Sequence, residues 1–117
     1  MSVSMKRAYE VPEASDGVRI LVDRLWPRGV SKSHSAIDHW MKELAPSDEL
    51  RKWFGHRLDR WSDFRRRYRA ELKSAERREK LEQLRAMVRG RKVTLVFAAR
   101  DAEHCNARVL ADLLKNR

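Results

Sequence analysis

Two short segments carry almost uninterrupted apolar character: VRILVD at 18–23 and KVTLVFAA at 92–99. Both are rich in β-branched residues, and neither shows the alternation of a strand with one wet face. A run apolar on both of its faces must be covered on both, a property of strands in parallel sheets. These two segments therefore predict central strands of a parallel sheet, and the rest of the chain must supply its cover. Each apolar run also ends in an acid and an arginine, Asp23-Arg24 in the first and Arg100-Asp101 in the second. Near the N-terminus MKRAY predicts a further short strand, followed in EVPEASDG by a loop marked by Pro12, Ser15, Asp16 and Gly17.

Helical periodicity fills the interval between the strands. Leu58, Trp61, Phe64, Tyr68 and Leu72 recur at steps of three and four, and Leu81, Leu84 and Val88 continue the spacing as far as Gly90. The pattern predicts two helices, or one bent helix, with Ser74 at the break. After the second apolar run, Asp101 is placed to cap a last helix whose inner face holds Ala107, Leu110 and Leu114. The stretch AIDHWMKELAPSDELRKWFG fits a helix through Ile37, Trp40, Met41 and Leu44, and equally a short extended piece. Pro46 ends either, and Ser47 or Asp48 is placed to cap a short helix over ELRKWF. The expected fold class is α/β: a small, mainly parallel sheet with helices packed on it, in a Rossmann-like three-layer arrangement. A length of 117 residues fits one domain spanning 1–117.

No run approaches the roughly 20 apolar residues of a membrane helix, and MSVSMKRAYE lacks the apolar stretch of a secretory signal, so a cytoplasmic protein with no membrane partner is expected. A lone Cys105 suits a reducing compartment, and His34, His39 and His56 are scattered, so neither a metal site nor a cofactor is expected. The net charge of +10 is localised. Residues 51–92 hold 16 Lys/Arg against 6 Asp/Glu, whereas the remainder is balanced. A basic outer helix face of this kind reads first as a solvated surface. As the alternative it is a nucleic-acid surface, with Arg65, Arg66, Arg67 and Arg69 on the phosphate backbone.

Ligands of open parallel sheets sit beyond the carboxyl ends of the strands. If the two central strands are neighbours, their acid and arginine pairs converge there, beside the start of the last helix. In the binding reading, Arg24, Arg28 and Arg100 hold a small anionic or phosphate-bearing ligand. Asp23 and Asp101 orient the arginines or act as general base, Trp26 and Trp40 wall the pocket, and Asn106 supplies an amide hydrogen bond. In the structural reading, Asp23 pairs with Arg100 to close the sheet edge and Trp26 before Pro27 is a core anchor. Cys105, close to a helix start and to positive charge, is either a nucleophilic or redox thiol or a small buried hydrophobe, and the second reading is favoured. His104 is no direct partner for it, since adjacent helical residues point about 100° apart. The sequence contains no glycine-rich phosphate loop and no Gly-x-Ser-x-Gly elbow, so no reaction type follows.

The segments SDGVRILVDRLWPRGVSK, LAPSDELRKWFGH, FRRRYRAEL and VTLVFAARDAEHCNARVLADLL resemble the YeaO-like family, domain of unknown function number 488, from about Lys6 to Leu114. The resemblance implies a small cytosolic bacterial or archaeal α/β protein with no established activity. By that resemblance Asp23 and Arg24 occupy the family's Asp-x-Arg element at the end of the first sheet strand. Cys105, Asn106 and Arg108 stand near its Cys-His-Arg element, with Asn106 in place of the histidine. Ala99 stands where longer relatives tend to carry a glutamate, and the two departures remove support for cysteine-dependent chemistry.

Overall fold

A computed structural model describes residues 2–116, with the side chain of residue 116 outside the description. Four strands form one sheet: β1 (Ser2–Arg7), β2 (Val18–Leu21), β3 (His39–Trp40) and β4 (Lys92–Phe97). Their order is β1-β4-β2-β3 and every pairing is parallel. The two apolar runs are indeed neighbours, with Ile20 opposite Leu95 and Leu21 opposite Val96. As parallel partners they deliver their following residues to the same edge.

Four α-helices accompany the sheet: α1 (Asp48–Phe54), α2 (Trp61–Glu71), α3 (Ala75–Gly90) and α4 (Asn106–Asn116). One sheet face, carrying Ile20, Val22, Val93, Leu95 and Phe97, packs with Phe54, Phe64, Tyr68, Leu84 and Leu110 into the main core. The opposite face carries Leu21 and Val96, and its cover comes from Trp26, Val30 and Ile37 in the segment after β2. Beside them lies a buried ionic cluster in which Arg19 Nη1 donates to Asp16 Oδ2 at 2.7 Å and Arg19 Nε to the Ser35 carbonyl at 3.1 Å. Both faces are thus covered, as the apolar runs require, and the third layer is loop rather than helix.

Several local expectations resolve in detail. Ser74 occupies the N-cap position of α3, and Ser47 caps α1 by accepting from the Leu50 N–H. The ambiguous 37–44 stretch divides into the two-residue β3 and a 3-10 turn over Lys42–Leu44. Leu58 leaves the expected apolar stripe: it lies in a 3-10 turn ahead of α2 and is exposed. Asp101 does not cap α4. It accepts from the Glu103 N–H at 3.0 Å and pairs with His104 at 2.8 Å, closing a separate turn, and the helix begins only at Asn106.

Candidate functional site

The segments after β2 and β4 meet above the sheet edge with α1 and the start of α4, and enclose a cleft of about 610 Å³. Asp23 is at its base. One carboxylate oxygen accepts from the Ala98 N–H at 2.9 Å, and the other from Asn106 Nδ2 at 3.1 Å. The same Asn106 nitrogen donates to the Val22 carbonyl at 3.1 Å. One acid therefore ties the ends of β2 and β4 to the first residue of α4. Burial raises the Asp23 pKa, while the hydrogen bonds from Asn106 and Ala98 pull it down. The expected Asp23–Arg100 ion pair does not form, and Arg100 is exposed with no ion pair among the described residues.

Cations ring the mouth. Arg24, Arg28, Arg51, Lys52 and His56 all line the cleft. Arg24 pairs with Asp48 at 2.8 Å and Arg51 reaches the same carboxylate at 3.5 Å. Arg28 and Lys52 have no carboxylate partner among the described residues. His56 enters through two successive left-handed residues, Gly55 with φ 50° and His56 itself with φ 59°, which turn the chain sharply at the end of α1. The inner walls are apolar, including Trp26, Phe54 and Phe64. Trp26 is fixed by donation from Nε1 to the Val30 carbonyl at 2.7 Å and by edge contact with Trp40, the centroids 5.5 Å apart. Trp40 in turn donates to the Asp23 carbonyl at 2.8 Å.

The sequence-derived residues thus fall into two groups. Asp23, Arg24, Trp26, Arg28, Cys105 and Asn106 share the cleft, whereas Trp40, Arg100 and Asp101 lie outside its lining. Trp40 acts behind Trp26, and Asp101 is engaged with His104. Arg51, Lys52 and His56 come from a segment whose basic character was legible without its direction; only the fold brings α1 over the sheet edge. Arg7 was also missed. From the end of β1 it donates Nε to the Ala99 carbonyl at 2.9 Å and Nη2 to the Ala98 carbonyl at 3.2 Å, holding the strand-end segment that supports Asp23.

Cys105 is buried directly before α4, with Sγ 3.7 Å from the Ala102 carbonyl. Burial pushes its thiol up to about 11, against the pull of the Arg108 and Ala107 backbone N–H groups. A buried thiol raised in this way stays protonated at neutral pH, so the helix start does not produce a nucleophile. Iodoacetamide at pH 7 is therefore expected to alkylate the folded protein at least about a hundredfold more slowly than the urea-unfolded chain. Equal rates, followed by mass spectrometry, would show a reactive thiol.

A family model described as "Inactive DUF488-N3 subclade" matches residues 2–117. The chain is 43% identical over 116 residues to the uncharacterized protein YeaO of Escherichia coli, covering 99% of each. It is 40% identical over 115 residues to uncharacterized proteins of Mycobacterium bovis and Mycobacterium tuberculosis, covering 98% of this chain and 95% of each relative. No solved structure matches it.

Proposed function

The chain belongs to the inactive DUF488-N3 subclade, and from that premise we propose that its sheet-edge cleft binds a small anionic, phosphate-bearing ligand without transforming it. The observation that carries this reading is the pair Arg28 and Lys52, two cations on one cleft with no carboxylate partner among the described residues. Cations so placed gain most from an external anion, and a phosphate is matched by the guanidinium fork. Two features speak for binding over catalysis. Asp23 already accepts hydrogen bonds on both oxygens, and Cys105 is held as a neutral thiol. The lone unpaired thiol also supports a reducing, cytoplasmic setting.

Calorimetric titration with phenyl phosphate tests the proposal. The Arg28→Ala/Lys52→Ala double variant, altered only at side chains outside the core, is expected to bind about tenfold more weakly or worse than the wild type. Undiminished affinity would overturn the assignment.

A second reading rests on the arginines of α2 and of the turn before it. Arg60 and Arg67 lie over the Trp53 ring at 5.0 and 4.3 Å from its centroid, and Arg65 lies over Trp61 at 5.8 Å. Arg66 pairs with Asp63, but Arg65, Arg67 and Arg69 have no carboxylate partner among the described residues. Guanidinium groups resting on indoles keep their edge N–H donors available to a nucleic-acid backbone. Single-stranded DNA binding would then weaken steeply with salt, with a slope reduced by neutralising Arg65, Arg67 and Arg69. Negligible binding at low salt excludes this reading.

A further inference from the structure

The cleft is polarised from base to mouth. At the base, Asp23 has no cationic partner among the described residues, only the Ala98 N–H and the Asn106 amide. A carboxylate offers about four acceptor positions, so two remain unused. Asn106 faces two acceptors, the Val22 carbonyl and Asp23 Oδ1, and this fixes which end of its amide is nitrogen. Its Oδ1 consequently has no hydrogen-bond partner among the described residues. Both residues line the cleft, so its inner end presents acceptors and negative charge. Trp26, Phe54 and Phe64 supply apolar walls, and the exposed cations Arg28 and Lys52 line the same cleft.

Resting on the anion-binding reading of this cleft, we infer that its ligand is an amino-bearing aromatic phosphate, bound amine inward and phosphate outward. The three kinds of lining call for an N–H donor, a flat apolar body and an anion on one ligand. An α-amino acid places its amine and carboxylate on one carbon and leaves no flat apolar body between them. A simple phosphate leaves the inner acceptors without a donor, and a polyamine meets like charge at the rim. An amino-bearing nucleoside monophosphate has the required sequence of groups, and a cleft of about 610 Å³ lies in the range that encloses small organic ligands.

Adenosine 5′-monophosphate and its deamino analogue, purine riboside 5′-monophosphate, separate the head group from the anion in the unmodified protein. Adenosine monophosphate is expected to bind about tenfold more tightly or better, the discrimination typical of a donor that satisfies otherwise unmet acceptors. It should also shift the Asn106 side-chain amide signal in an NMR titration, whereas the deamino analogue should not. Equal affinities with an unmoved Asn106 signal would overturn the head-group inference while leaving the anion reading standing. Failure of both nucleotides and of phenyl phosphate to bind would overturn the anion reading and this inference together.

Discussion

Phe64→Ala is expected to lower the stability of the fold by about 3–5 kcal/mol. Phe64 is only 2% exposed and sits where three aromatic neighbours meet. It stacks on Phe54 at a centroid distance of 4.3 Å and on Trp61 at 5.7 Å, and meets Tyr68 at a tilt at 5.7 Å. Alanine removes apolar burial and also leaves a void that rings held from two helices cannot collapse to fill. The site makes the substitution doubly informative, because Phe64 lines the cleft whose rim α1 supplies. Losing the Phe54–Phe64 stack frees α1 and loosens Arg51 and Lys52. Urea unfolding should show a lower midpoint with an unchanged slope, the signature of lost stability in a two-state transition. A loss below about 1 kcal/mol would mean that this cluster does not hold α1 in place.

Gly17→Ala acts at the amino end of the two central strands. Gly17 has φ 68° and ψ −139°, a conformation reached almost only by glycine. A β-carbon there would lie 2.4 Å from the Lys92 carbonyl oxygen and 2.7 Å from the Lys92 side chain. Lys92 opens β4, and Val18, the next residue after Gly17, pairs with Val93. The backbone clash is therefore relieved only by shifting the pairing of the two central strands. Backbone strain and displaced pairing together should cost about 3 kcal/mol or more. Gly29 is the control. It also has positive φ, 78°, but a β-carbon there meets nothing within 4 Å, so Gly29→Ala should cost only about 1 kcal/mol. Thermal unfolding that fails to separate the two variants would count against the close approach of Gly17 to β4.

The strands and helices were legible where one physical requirement dominated. The runs at 18–23 and 92–99 are apolar on both faces because both faces are covered, and Ser74 separates two helical periods because the chain turns there. Residues 37–44 were ambiguous because a two-residue edge strand and a 3-10 turn are too short to establish a period. Leu58 broke the stripe because a 3-10 turn rotates its side chains away from the α-helical sequence of directions.

The site was legible in part for a related reason. Asp23, Arg24, Trp26 and Arg28 follow directly from the end of β2, and strand ends are where parallel sheets gather their loops. Arg100 and Asp101 diverged because the five residues between Arg100 and Asn106 form a turn of their own, held by Asp101 and His104. Arg51, Lys52 and Arg7 come from remote parts of the chain. Nothing local marks them, and only the packing of α1 and the position of β1 beside β4 bring them in.

The central claim is that the cation-ringed cleft, not the basic face of α2, is where this protein meets its anionic ligand. A ¹⁵N-edited NMR titration with phenyl phosphate tests it most directly. The largest shifts are expected at Arg24, Arg28 and Lys52, with Arg65, Arg66, Arg67 and Arg69 unmoved. Shifts confined to the α2 arginines, or no shifts at saturating probe, would contradict it.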